Sequence, residues 1–213
     1  LSKRIATPGK GKKVAVLPQA NSVNKNFDMA ITVAKYLKIP EKTISRTIAN
    51  FRGREHRLEL VRTPQNQISF INDSAATNPE ATSAAIRTFH SPLILIAGGK
   101  DKGLNYSPLG KTVLASKNLQ MVILYGENKK KIHEAIMYEF RNSRKTIAAP
   151  HITTTDDLKR AILLSYAFAK PLVASGYWLD PIILFSPASA SFDQFNNYAD
   201  RGKQFKKLVA KLK

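Results

Sequence analysis

Phe70-Ile71-Asn72-Asp73-Ser74-Ala75-Ala76-Thr77-Asn78-Pro79-Glu80-Ala81-Thr82 is an apolar run that breaks into a polar cluster and restarts as a helix. Ile68, Phe70 and Ile71 supply the apolar side chains of a short buried strand. Asn78 stands where a helix N-cap belongs, and Pro79 takes the first helical position, where a backbone N–H is not needed. Small polar side chains at the carboxyl end of a buried strand, beside a fresh helix N-terminus, mark where open α/β sheets hold ligands. The same pattern also suits an ordinary strand-to-helix turn, so the neighbouring segments decide.

Outward from this run, strand and helix patterns alternate without interruption. Apolar strands are predicted near residues 67–71, 93–97, 121–125 and 181–185, with a weaker one near 146–149. Helical periodicity covers about 79–89, 107–116, 129–140, 156–168 and 192–211. This alternation predicts an α/β fold: a doubly wound, mostly parallel sheet of roughly five to six strands, covered by helices on both faces. Right-handed crossovers bring every strand-to-helix loop to one edge, so residues 72–78, 98–106 and 186–191 converge on one crevice. Upstream, Phe27, Ala30, Ile31, Ala34 and Leu37 form the stripe of an amphipathic helix, and Pro40 with Glu41 opens a shorter one. Residues 50–57 read as a connector, which divides the chain into 1–52 and 53–213.

Composition narrows the function classes. The 213 residues suffice to bury a sizeable core, and a hydrophobic fraction of 43% is ordinary for a globular protein. No apolar run approaches the roughly 20 residues of a membrane span. The absence of cysteine excludes a disulfide framework and a thiolate metal site, and fits a reducing, cytoplasmic setting. His56, His90, His133 and His151 are too scattered to suggest a metal site. Lys3 and Arg4 flank no apolar stretch of the kind a signal peptide needs, and a start at Leu1 reads as a fragment or processed product. Pro8-Gly9-Lys10-Gly11-Lys12-Lys13 lacks the spacing of a phosphate-binding loop and follows no strand. A formal charge of +19 draws the chain toward anions. No basic stripe interleaved with aromatics appears, so a solvated basic surface is expected rather than a nucleic-acid platform.

Four further segments carry a resemblance. They are Ala97-Gly98-Gly99-Lys100-Asp101-Lys102-Gly103-Leu104-Asn105-Tyr106-Ser107-Pro108-Leu109, then Leu184-Phe185-Ser186-Pro187-Ala188-Ser189-Ala190-Ser191-Phe192-Asp193-Gln194-Phe195, then Tyr198 with Arg201-Gly202, and His56-Arg57-Leu58-Glu59. With the opening run, and in this order and spacing, they resemble the Mur ligases of peptidoglycan synthesis from about residue 17 onward. The nearest branch is the one that adds D-glutamate to UDP-N-acetylmuramoyl-L-alanine. The resemblance implies an ATP-dependent amide ligation through an acyl phosphate, with Mg2+ and a phosphate-binding loop in a central domain. Residues 1–52 would then be the end of that ATP-binding domain, and 53–213 the C-terminal, amino-acid-binding domain. Without the phosphate-binding loop, this stretch alone is expected to hold no cofactor and to be inactive.

The resemblance also implies roles for single residues. Asn26, Arg57 and Asp73 match nucleotide-binding positions, Arg57 toward the phosphates and Asp73 toward the ribose. Thr77, Lys102, Ser191, Phe192 and Tyr198 match the D-glutamate site, with Lys102 pairing a carboxylate. A guanidinium suits phosphate oxygens, and a dicarboxylic amino acid needs cations, hydroxyls and free backbone N–H groups. Ser191 and Gln194 read as a capping box opening the last helix, whose N-terminus would face the crevice.

Two positions depart from the family pattern. Ala75 stands where a lysine is usual, so no catalytic residue is assigned. Ser22-Val23-Asn24-Lys25-Asn26 keeps only the second asparagine of His-Asn-x-x-Asn. These departures leave a second reading open: a degenerate, non-catalytic ligase-like domain serving as a basic binding or structural module, on RNA or in a large assembly. A sibling amide ligase with another amino acid is the third, and the 186–195 segment argues against it.

Overall fold

The middle of the sheet is built from strands with almost no polar side chains. β2 (Ser69–Asn72), β3 (Leu93–Gly98), β4 (Leu119–Tyr125) and β6 (Ile182–Phe185) are buried throughout, Gln120 excepted. Burial on both faces is what such continuous apolar runs require of parallel strands. The structure, a computed structural model, describes residues 25–51, 53–62, 67–143, 149–177 and 180–212, with Lys25, Asn26 and Arg62 described by their backbones only. The run Pro8-Gly9-Lys10-Gly11-Lys12-Lys13, Ser22 to Asn24 and Trp178 lie outside the described residues.

Among the described residues six strands pair in the order β1-β2-β6-β3-β4-β5. β2, β6, β3, β4 and β5 (His151–Thr154) are mutually parallel, while β1 (Glu59–Arg62) runs antiparallel on the outer edge of β2. α3 (Pro79–Thr88), α4 (Ser107–Ala115) and α5 (Lys129–Arg141) cover one face, over a core that includes Ile86, Leu95, Leu109, Val122 and Ile132. α6 (Leu158–Ala174) and α7 (Tyr198–Val209) cover the other, where Phe70, Ile96, Leu158, Phe185 and Phe205 meet. The chain steps outward from β2 to β5 on the first face, then returns through α6 to insert β6 between β2 and β3. Loops from strands on either side of that insertion are thereby adjacent.

α1 (Lys25–Tyr36) and α2 (Glu41–Asn50) precede the sheet and pack on each other, with the Phe27 and Phe51 rings edge-on at 5.7 Å. Met29, Val33 and Tyr36 leave a second apolar face of α1 exposed, and Leu37 just beyond the helix is exposed too.

Three elements depart from expectation. The weak strand expected near 146–149 falls almost wholly outside the described residues, and the strand that pairs in register with β4 is formed by His151, Ile152, Thr153 and Thr154. β1 is a strand the sequence patterns do not predict; only its first residue, Glu59, belongs to a segment singled out above. α6 continues through Pro171 to Ala174, because a proline near a helix end forfeits one hydrogen bond and the last turn survives. The Asn78 cap is as expected, its side chain accepting from Ala81 N at 2.8 Å.

Candidate functional site

The carboxyl ends of β2, β6, β3 and β4 are stitched loop to loop. Lys100 N donates to Ala190 O at 2.9 Å and Gly98 N to Pro187 O at 2.8 Å, joining the β3 and β6 loops. Asn128 joins in from β4, its Oδ1 accepting from Gly99 N at 3.0 Å and its Nδ2 donating to Ser189 Oγ at 2.7 Å. Arg201, on α7, is wholly buried beneath them. Its guanidinium donates to Ser74 O (2.8 Å), Ser74 Oγ (3.0 Å), Ser189 O (2.9 Å) and Ala190 O (3.0 Å). A charge this deep survives because nearly every N–H meets an oxygen. It thereby locks the β2 loop to the β6 loop.

On this frame the proposed amino-acid residues come partly together. Lys102 Nζ lies 5.3 Å above the centre of the Phe192 ring, and both side chains are exposed. Lys100 and Lys131 are engaged elsewhere, with Glu127 at 2.6 Å and Asp101 at 3.2 Å. Thr77 is half-buried at the end of the β2 loop. Ser191 is buried, but it does not cap the last helix. Its carbonyl accepts from Gln194 N and Phe195 N at 3.2 and 2.9 Å, which makes 191–195 a turn. Gln194 Nε2 goes instead to Asp156 O at 2.7 Å. The helix begins at Tyr198, and Asn197 caps it by accepting from Asp200 N at 2.8 Å. The Ser-x-x-Gln spacing therefore marks a turn, and the cap is Asn197, one turn before the buried stripe of Arg201, Phe205 and Val209.

The proposed nucleotide residues form a second group. Arg57 is exposed on the segment entering β1, near enough to Asp73 to favour its ionised form. Asp73 is buried, with Oδ1 accepting from Leu58 N at 3.2 Å and Oδ2 from Ser186 Oγ at 2.7 Å. Burial pushes its pKa up to about 6, against the pull of these hydrogen bonds. Tyr198 belongs with this group: its ring stands edge-on to His56 at 6.4 Å and its carbonyl accepts from Ser74 Oγ at 2.7 Å. Asn26 sits in the first turn of α1, and its side chain lies outside the described residues.

Among the described residues one group has metal-ligand spacing, Glu55, His56 and Glu59. The Lys206 ammonium already lies between its carboxylates, 2.6 Å from Glu55 Oε1 and 2.9 Å from Glu59 Oε1. Asn72 Oδ1 accepts from Ser74 N at 3.2 Å, which turns its Nδ2 toward His56 Nδ1 at 2.9 Å. A ligating histidine donates from its second nitrogen, whereas this one must accept there. Mg2+ moreover takes oxygen ligands and keeps several waters. The group does not fit Mg2+.

Residues 56–174 match the family profile described as the Mur ligase, glutamate ligase domain. The chain belongs to the Mur ligase family. Relatives named UDP-N-acetylmuramoylalanine–D-glutamate ligase include that of Acetivibrio thermocellus, 35% identical over 91% of this chain and 39% of the relative. That of Clostridioides difficile is 37% identical over 89% of this chain and 38% of its own length. This Mur ligase chain thus spans about two fifths of the curated relatives it matches. Among solved structures, a Mycobacterium tuberculosis folylpolyglutamate synthase complexed with ADP and AMPPCP covers 83% of this chain and 38% of its own, with a TM-score of 0.57 at 13% identity. That likeness establishes a shared fold.

Sequence reasoning gave Arg201 no role, although a signal existed. Arg201 stands on the same helical stripe as Phe205 and Val209, so an arginine occupies a core position. Glu59, Lys206 and Asn128 carried no comparable signal.

Proposed function

We propose that this chain is the amino-acid- and nucleotide-handling part of an ATP-dependent ligase that joins D-glutamate to UDP-N-acetylmuramoyl-L-alanine in the cytoplasmic stage of peptidoglycan synthesis. The observation that carries the reading is the Lys102–Phe192 pair, brought from two different strand loops to one sheet edge. Its support is the D-glutamate ligase name borne by relatives 35% and 37% identical over most of the chain.

In this reading the γ-phosphoryl group of ATP passes to the substrate carboxylate, and ADP leaves. The amine of D-glutamate then attacks the acyl carbon, the C–N bond forms and phosphate departs. Lys102 pairs with a carboxylate of the amino acid, while the face of Phe192 limits where that ammonium can point. Arg57 meets phosphate oxygens, with Asp73 behind it. Thr77 and Ser191 line the loops between, and Tyr198 borders the nucleotide side. Mg2+ would supply charge neutralisation at the phosphates and would arrive with the nucleotide rather than on this chain's described residues.

One observation favours a second reading, a non-catalytic module. Ala75, whose N–H donates to His56 O at 3.0 Å, carries a methyl where the family pattern has a cation. Titration with D-glutamate, followed by amide resonances, separates the two. Saturable shifts at Lys102 and Phe192, weakened at least about tenfold by Lys102→Glu, are expected of the ligase part. Unchanged spectra at high D-glutamate, or equal binding by the variant, would overturn it.

A further inference from the structure

Arg57 is displayed by an unusual piece of backbone. The residues on either side, His56 and Leu58, both have left-handed φ values, +64° and +44°. Side chains with a Cβ disfavour that region, so two such residues persist only where the surroundings over-determine them. Here the surroundings do. His56 N donates to Glu59 Oε2 at 3.0 Å, Leu58 N to Asp73 Oδ1 at 3.2 Å, and Ala75 N to His56 O at 3.0 Å. The His56 imidazole is seated on Gly202, where a Cβ would lie 2.3 Å from Nδ1.

Glu59 is the hub of this arrangement. It opens β1 directly opposite Asn72, and its carboxylate accepts from three donors: His56 N, Asn72 Nδ2 at 3.0 Å and Lys206 Nζ at 2.9 Å. Lys206 in turn reaches Glu55 at 2.6 Å, so one ammonium ties both ends of the segment to α7. An exposed ion pair contributes little by itself. Glu59 differs, because its loss would strand the His56 main-chain donor inside the strained turn and leave the buried Asn72 amide only His56 Nδ1 at 2.9 Å and Gly202 O at 3.4 Å.

We infer that Glu59 and Lys206 are positioning residues, a carboxylate–ammonium latch that holds His56 and Leu58 in their left-handed conformations and so aims the Arg57 guanidinium between them at the nucleotide phosphates. This rests on the proposed role of Arg57. The latch touches no substrate.

The test measures ADP binding by the full 213-residue chain as wild type, Arg57→Ala, Glu59→Gln, Lys206→Met and Lys206→Arg, with amide exchange recorded for each. Glutamine keeps the shape of Glu59 but turns an amide N–H toward one of its donors. Glu59→Gln is expected to weaken ADP about as much as Arg57→Ala, roughly tenfold or more for a lost charge-assisted contact. Lys206→Met should weaken it severalfold, and Lys206→Arg should restore it. In Glu59→Gln, exchange at Arg57 and Leu58 should quicken at least about tenfold, as local opening requires, while β3 and β4 stay protected. D-glutamate shifts at Lys102 should be unchanged. Wild-type ADP affinity in Glu59→Gln and Lys206→Met, alongside a loss in Arg57→Ala, would overturn the latch and leave the role of Arg57 intact. Loss of β3 and β4 protection in both variants would make the pair merely structural and also overturn it. No ADP binding by the wild type, or none lost in Arg57→Ala, would overturn the reading beneath.

Discussion

Asp73 and His56 sit on neighbouring segments and respond to pH in opposite senses. Burial raises the Asp73 carboxyl to about 6 from an ordinary 3.8, so between these values the folded chain holds a proton that the unfolded chain releases. Its contribution to stability is therefore present at low pH and lost as pH rises through about 6. Burial lowers the pKa of His56, so that histidine opposes folding once acid charges the unfolded form. Comparing the wild type with Asp73→Asn isolates the first effect. From about pH 7.5 to about pH 5, the wild type should gain about 1 kcal/mol relative to the variant in urea unfolding. A difference that stays flat, or falls, would mean that the carboxylate remains charged when buried. The sequence made the polar run at Asp73 legible as the loop between a buried strand and a capped helix, because residue type and position agreed there. It could not reveal that both oxygens are used internally, since Leu58 and Ser186 reach Asp73 only through the fold.

Elements were legible where apolar side chains outnumber the alternatives, as in β3, β4 and β6, and illegible at the sheet's edges. β1 has four residues with charged ones at both ends, and β5 has its side chains only partly covered, so neither presents the pattern of a buried strand. The loops that follow strands were readable as glycine-rich, but which glycines bear a packing constraint was not. Gly126 has φ +75° and a Cβ there would lie 2.5 Å from Asp193 Oδ2 and 2.9 Å from Gly99 Cα. Gly103 has a similar φ of +70°, and a Cβ there would meet open space. Alanine at both positions strains the backbone alike, so their difference measures the crowding between the β4, β3 and β6 loops. Gly103→Ala should cost about 1 kcal/mol and Gly126→Ala at least about 2 kcal/mol more, read from denaturation midpoints. Equal costs would mean that the loops part more easily than their hydrogen bonds suggest.

At the scale of the whole molecule, residues 53–213 carry both core clusters, and we expect them to fold without α1 and α2. A chain cut to 53–213 should keep its cooperative unfolding transition, and loss of that transition would refute the domain division. The charge of +19 is expected to act as a solvated surface. Phe140, Tyr166 and Phe168 pack against the two cores and offer no stacking platform, so RNA should bind weakly and release steeply with salt. Submicromolar affinity near physiological salt would instead favour the non-catalytic module. No helix among the described residues is long and apolar enough to cross a membrane. The insertion of β6 between β2 and β3 bears finally on how the protein is made. A ribosome delivers β2, β3, β4 and β5 first, and the strand that unites them comes near residue 185. Until then β2 and β3 each bare an unpaired edge, a template for the wrong neighbour. Translation halted between Thr154, the end of β5, and Phe185 would release two unmatched halves rather than a smaller domain, and nascent chains of this length should be the ones that chaperones hold longest.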